Sequence, residues 1–136
     1  MMRLCACLGV AMDVIEPCGF LLSDRNFRRA GMDYLTGLDL MRHASWEGFQ
    51  ARKQGRLLLL TTKATMPYFD FGFAPTDTLL VGRESAGVPN DVHQAADIRL
   101  TIPMRPGMRS LNVAQAAAMV LGEALRQTAH FPEPAA

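Results

Sequence analysis

The chain has 136 residues, of which 49% are hydrophobic and 20% charged, and its formal net charge is +1. A chain of this length fits one domain with a buried core, and no apolar run is long enough to cross a bilayer. The near-zero charge excludes binding of nucleic acid through a broad basic surface, so any such binding must be local.

Strands and helices alternate along the sequence. Apolar runs predict strands at residues 12–16, 57–61, 79–81 and 98–102, and the run at 57–60 shows no polar alternation, as expected of a strand covered on both faces. Ser23 can cap a helix at 23–29, which is stopped by Gly31, and Ser45 can cap a helix at 45–53, which is stopped by Gly55. A third short helix is expected at 90–95. The order predicts one layered α/β domain with a mostly parallel sheet at residues 1–128, followed by a disordered tail at 129–136.

The last predicted helix, which ends near Gln127, follows an irregular Pro/Gly/Arg loop and is apolar on nearly every side. Ser110 is the expected N-cap. A helix with so little polar surface is buried in a core or in a subunit interface. Gly122 inside it costs about 1 kcal/mol relative to alanine, so it is expected to mark close packing. The narrow polar stripe consists of Asn112, Gln115, Glu123 and Arg126.

The loops after the last three predicted strands carry the candidate ligand site, because parallel α/β sheets bind ligands at the carboxyl ends of their strands. They read TTKATMPY, GRESAGVP and PMRPGMRS. Gly82 and Gly87 permit tight turns and close backbone approach around Arg83 and Glu84. G-x-E-x-x-G alone is usually a turn, and the dinucleotide, Walker and nucleophile-elbow motifs are missing.

The cysteines and histidines do not predict a metal site. Cys5 and Cys7 could ligate a metal, but no second pair has matching spacing, and the three histidines are scattered singly. Cys5, Cys7 and Cys18 form an odd, irregularly spaced set, which is typical of proteins of the reducing cytoplasm. The first residues lack a small-residue cleavage pattern, so no targeting signal is predicted.

Four segments in this order resemble the SPOUT superfamily of RNA methyltransferases: LTTK at 60–63, LLVGRESAGVP at 79–89, IPM at 102–104 and RSLN at 109–112. The segment IEPCGFLLSDRNFRRAGMDY at 15–34 narrows the resemblance to tRNA (cytidine/uridine-34)-2'-O-methyltransferases. The resemblance runs from Arg3 to Gln127. It implies a Rossmann-like α/β domain whose C-terminal segment forms a trefoil knot, an exception to the rule against knots. It also implies a homodimer that binds S-adenosylmethionine in the knot and acts on the tRNA anticodon loop.

The resemblance assigns roles to individual residues. Arg3, Ser110 and Asn112 would be catalytic, and Arg28, Arg29 and Arg109 would contact RNA phosphate. Arg3 would position the phosphate and the hydroxyl, because a guanidinium stays protonated in proteins. From the residues alone, Ser110 is a plain N-cap, and Glu84 suits a cofactor contact and a solvated surface equally. For each of Arg28, Arg29 and Arg109 taken singly, a solvated surface is favoured. The cofactor would be held by Leu60, Thr61, Gly82, Glu84, Gly87, Ile102, Met104, Ser110 and Leu111.

The implied reaction transfers the activated methyl group from the sulfonium to a ribose 2'-hydroxyl and requires no metal. The strand and the Pro-Asn-Thr-Gly-like loop that precede the position of Arg3 in this family are missing from the chain. Two hypotheses therefore stand: a wobble-nucleotide 2'-O-methyltransferase, or a truncated, catalytically impaired remnant that dimerises and binds cofactor or RNA. A third hypothesis is a generic nucleotide-binding α/β module. It does not explain the sequence of the C-terminal segment that would form the knot.

Overall fold

The computed structural model describes residues 1–16, 37–83 and 87–134. They belong to two compact units: unit 1 comprises Met1–Lys53 with Phe131–Ala136, and unit 2 comprises Gln54–His130. The predicted helix at 23–29, which includes Arg28 and Arg29, lies outside the described residues, and so do Cys18 and Glu84. None of the described helices is long and apolar enough to cross a membrane.

The described residues of unit 1 form a pair of parallel strands and two helices. Strand β1 was predicted, whereas α1 and β2 have no counterpart among the predicted elements. The hydroxyl of Ser45 accepts a hydrogen bond from the Gly48 amide at 3.0 Å, which confirms the predicted cap, although the helix ends at Arg52, one residue before the predicted end at Lys53. The elements are α1 (Met2–Leu8), β1 (Met12–Ile15), β2 (Leu40–His43) and α2 (Trp46–Arg52).

The core of unit 1 includes a polar residue, His43. Its Nε2 lies 2.7 Å from Oδ1 of Asp13, and its ring packs edge-on against Phe49 at 5.3 Å. Cys5 is also buried, and burial raises the pKa of its thiol, which keeps it protonated and apolar. Among the described residues, no group of three or more His, Cys, Asp or Glu side chains is close enough to hold a metal ion.

Unit 2 is built on a four-stranded sheet in which every pairing is parallel and the strand order is β4-β6-β3-β5. β3 lies between β6 and β5, and Leu57, Leu58 and Leu59 are at most 1% exposed, as the unbroken apolar run predicted. The described strands form two parallel sheets, one in each unit, and not the single sheet that was expected. The strands are β3 (Leu57–Leu60), β4 (Met66–Pro67), β5 (Thr78–Leu80) and β6 (Ile98–Thr101).

Helix α3 (Asn90–Ala95) is confirmed, whereas helix α4 (Val113–Thr128) begins three residues later than its predicted cap. The prediction that Ser110 is the N-cap of this helix was wrong, because the N-cap is Asn112. The side-chain oxygen of Asn112 accepts hydrogen bonds from the amides of Ala114 at 2.9 Å and Gln115 at 3.2 Å. Asparagine caps a helix as well as serine does, so the later residue begins the helix and residues 110–112 remain irregular.

The faces of α4 differ in part from the prediction. Ala117, Val120 and Leu125 are buried, but Met119 is 44% exposed within the stripe that was expected to be polar. A Cβ built at Gly122 would meet no atom within 4 Å, so the close packing expected there is not found among the described residues.

A polar cluster links the residues that precede two of these strands. Arg56 donates to both carboxylate oxygens of Asp77, at 2.8 and 2.7 Å, and also to the carbonyl of Gly72 at 3.0 Å. Burial alone would raise the pKa of Asp77, but its hydrogen bonds from Arg56 and from the Ala74 amide lower it below its usual value. This arrangement joins the start of β3 to the turn before β5.

Candidate functional site

A cavity of about 320 Å³ opens in unit 2 at the carboxyl ends of β3, β5 and β6. Its size lies at the lower end of the range of small-molecule sites, about 300–1,000 Å³. The cavity is formed by the three loops that the sequence singled out, together with one residue of α3 and the first turn of α4.

Apolar side chains form much of the cavity. Leu59 and Leu60 end the buried strand β3, Val81 follows β5, and Ile102 and Met104 follow β6. The start of α4 and the residues around it add a further wall of Leu111, Val113 and Ala116. Such surfaces accommodate a flat apolar ring such as a purine.

Two glycines of the loop after β5, Gly82 and Gly87, lie against each other at the cavity. A Cβ built at Gly82 would be 2.5 Å from the carbonyl carbon of Gly87, closer than any real contact. Gly87 has a φ of 65°, in the left-handed region that favours glycine. Arg83 and Gly87 exchange two backbone hydrogen bonds, at 3.2 and 2.9 Å. The backbones of Gly82, Arg83 and Gly87 are therefore held close together where they line the cavity.

The late start of α4 places two predicted residues in the cavity wall. Because Asn112 caps the helix, Ser110 and Leu111 precede it and line the cavity. Ser110 is exposed, so its hydroxyl is accessible to a ligand.

The charged groups that line the cavity are cationic among the described residues. Lys63, Arg83 and Arg109 are all exposed at its rim, and His93 is half-buried. Guanidinium and ammonium groups bind carboxylate and phosphate oxygens through charge-assisted hydrogen bonds. The cavity therefore combines an apolar interior with an edge suited to anions.

The structure brings most of the predicted site residues together. Asn112 caps α4 and is not among the lining residues. Arg3 is an exposed residue of α1 in unit 1. The predicted residues that line the cavity are Leu60, Thr61, Gly82, Gly87, Ile102, Met104, Arg109, Ser110 and Leu111.

Several lining residues were not predicted. Lys63 belongs to the LTTK segment, so its motif was seen but its side chain was not selected. His93 lies on a helix that was predicted correctly, but a six-residue helix does not reveal from its sequence which side faces a cavity. Val113 and Ala116 were assigned to a buried helix, and only the tertiary structure places its first turn at the cavity.

Comparison with known proteins adds a family. Residues 1–122 match the model of the SpoU rRNA Methylase family. A relative from Beijerinckia indica, named tRNA (cytidine(34)-2'-O)-methyltransferase, is 65% identical over 130 residues, covering 93% of this chain and 81% of its own length.

Solved structures give the same picture. One, from work on the 2-OH methylation of C/U34 on tRNA, superposes with a TM-score of 0.84 at 36% identity, covering 93% of this chain and 84% of its own. Another, the SpoU methyltransferase AviRb from Streptomyces viridochromogenes in complex with AdoMet, has a TM-score of 0.79 at 27% identity, covering 93% of this chain and 53% of its own.

Proposed function

The chain belongs to the SpoU rRNA methylase family, and we propose that it transfers a methyl group from S-adenosylmethionine to the ribose 2'-hydroxyl of the tRNA wobble nucleotide, position 34. The observation that carries this proposal is the meeting of the three predicted loops around one cavity with an apolar interior and a cationic rim. The relative from Beijerinckia indica, at 65% identity, supports the choice of substrate.

The residues of the cavity fit S-adenosylmethionine. Leu60, Ile102 and Met104 offer apolar surface for the adenine, and Gly82 and Gly87 line the cavity without a side chain. The hydroxyl of Ser110 is available to a polar group of the cofactor. When bound, the cofactor supplies an activated methyl group on a sulfonium. The AdoMet complex of the 27% identical relative supports this assignment.

The protein's part in the reaction is to align the 2'-hydroxyl with the methyl group and to manage one proton. Arg109 at the cavity rim, with Arg28 and Arg29, holds RNA phosphate. Arg3 is the proposed catalytic residue, and it positions the phosphate and the hydroxyl, with a phosphate oxygen or water taking the proton. Glu84, Thr61, Gly87 and Leu111 complete the proposed cofactor site, and Asn112 acts with Ser110 at the start of α4.

We further infer a cytoplasmic homodimer whose C-terminal segment is threaded as a trefoil knot. The exposed apolar residues of this segment support a second copy as partner, because Met108 is 67%, Leu111 39% and Met119 44% exposed. Covering them on dimerisation removes apolar surface from water.

The test is transfer of labelled methyl from S-adenosylmethionine to an unmodified tRNA anticodon stem-loop. Labelling is expected with a ribose at position 34 and is lost when that nucleotide carries 2'-deoxyribose. Equal labelling of both RNAs would contradict the proposed target. Cofactor binding without any transfer would instead support the impaired remnant.

Arg3 is tested in the same assay. Arg3→Ala is expected to retain cofactor affinity, measured by calorimetry, and to lose methyl transfer. Arg52→Ala, at another exposed arginine of unit 1, is the matched control and should keep both. Undiminished transfer by Arg3→Ala would remove this residue from the mechanism.

A further inference from the structure

An exposed aromatic ring lies on the turn that follows β4. This turn, Tyr68–Asp70, is a single turn of 3₁₀ helix, and the side chain of Phe69 on it is 54% exposed. A single exposed phenylalanine is ordinary on a protein surface. Its position and its neighbours distinguish this one.

The turn lies at the edge of the sheet where the cavity opens. β4 runs parallel to β6 with Pro67 opposite Thr101, and Thr101 lines the cavity. Adjacent strands are about 4.8 Å apart and each extended residue adds at most about 3.5 Å, so the backbone of Phe69 lies within roughly 12 Å of that of Thr101. Lys63, in the connection that precedes β4, also lines the cavity.

The ring is supported by a fixed framework. The ring of Tyr68 packs edge-on against that of Phe69, with centroids 5.3 Å apart and an interplanar angle of 71°. The 3₁₀ turn packs against α4. Gln127 of α4 accepts from the Phe73 amide at 2.8 Å and donates to the Phe71 carbonyl at 2.9 Å, directly after the turn. A ring held in this way can bind a flat partner with little loss of conformational entropy.

We propose that Phe69 is a stacking platform for an unpaired base of the anticodon loop, at or next to the nucleotide whose ribose enters the cavity. Aromatic side chains stack on unpaired bases of RNA loops, and the contact tolerates any base because every base has a flat π-face. Lys63 binds the phosphate backbone of the same anticodon loop near the cavity. This role rests on the proposed function, since it takes the anticodon loop as the ligand.

The experiment uses the full chain, unlabelled cofactor and an anticodon stem-loop that carries the fluorescent base 2-aminopurine beside position 34. Stacking on Phe69 is expected to change its fluorescence on binding. Phe69→Ala should remove this change and raise the KM for the stem-loop about 5- to 150-fold, the range of base–aromatic stacking. Affinity for S-adenosylmethionine should be unaffected. Phe69→Trp should restore both signals, whereas Phe69→Leu, which keeps apolar area without a ring, should not.

Phe131→Ala is the matched control, because Phe131 is also a half-exposed phenylalanine, at 50%, beyond the end of α4. It should behave as the wild type. An unchanged KM and fluorescence signal in Phe69→Ala would overturn the platform while leaving the proposed function intact. A change in oligomeric state of Phe69→Ala in sedimentation would also overturn it and assign the ring to a second copy of the chain.

The two proposals can fail separately. If the wild type binds the stem-loop with a fluorescence change that Phe69→Ala abolishes, yet transfers no methyl, the platform stands and the proposed activity is wrong. If the wild type neither binds nor methylates the stem-loop, both are overturned.

Discussion

Replacing Gly82 by alanine tests the cofactor site more directly than any other change. The new Cβ would lie 2.5 Å from the carbonyl carbon of Gly87 and 2.8 Å from its Cα and oxygen. Carbon atoms in contact prefer a separation of about 3.5–4.0 Å, so the backbones at Gly82 and Gly87 must move apart by about 1 Å. Because two backbone hydrogen bonds join Arg83 to Gly87, the movement also disturbs these bonds at the cavity.

The size of the effect follows from this displacement. Overpacking of this kind costs about 1–3 kcal/mol, which corresponds to a loss of affinity of about 5- to 150-fold when the cost falls on the cofactor site. We expect calorimetry to show S-adenosylmethionine binding weakened about 10- to 100-fold, within that range. Circular dichroism should still show a folded protein.

Gly72→Ala is the matched control for this substitution. A Cβ at Gly72 meets nothing within 4 Å and the residue has no left-handed φ, so cofactor affinity should equal that of the wild type. Wild-type affinity in Gly82→Ala would refute the placement of the cofactor against Gly82 and Gly87. Equal losses in both variants would show that the effect is not local.

Four further substitutions test the last helix and the residues just before it. Asn112→Ala should lower the free energy of unfolding by about 1 kcal/mol through loss of the cap, whereas Ser110→Ala should leave denaturation unchanged and weaken cofactor binding; the reverse pattern would restore Ser110 as the cap. Gly122→Ala should raise the free energy of unfolding by about 1 kcal/mol, and a decrease would mean that a partner occupies the space beside it. Hydrogen bonds from Arg126 and Gln127 lower the pKa of Glu123 to about 2, so its stabilisation is complete above the unfolded pKa near 4.5 and is lost as the pH falls through about 2. Urea denaturation should therefore show the advantage of the wild type over Glu123→Gln at pH 6 but not at pH 2, and a difference that is independent of pH would contradict this account.

Three strands of unit 2, β3, β5 and β6, could be predicted because each is an apolar run in the sequence. The run from Leu57 to Leu60 is apolar at every position, and the structure places it at the centre of a parallel sheet. The loops at the carboxyl ends were predicted as the site for the same reason, since a parallel sheet collects its strand ends at one edge.

Other features depend on contacts that a local pattern does not contain. β4 has two residues, and its pairing with β6 is set by the sheet and not by its own sequence. Ser110 and Asn112 both suit an N-cap, and the choice between them depends on where the preceding loop must run. The orientation of His93 toward the cavity is likewise a result of how α3 packs.

The hydrogen bonds made by Gln127 fix the C-terminal end of α4 to the chain between β4 and β5, while its first turn borders the cavity. Its first turn supplies Val113 and Ala116 to the cavity wall, and its last turn is bonded to the main chain at Phe71 and Phe73. The helix has 16 residues and is therefore about 24 Å long. Any tag, fusion or deletion that loosens this far end would let the helix slide or turn about its axis, and the wall of the cavity would shift with it.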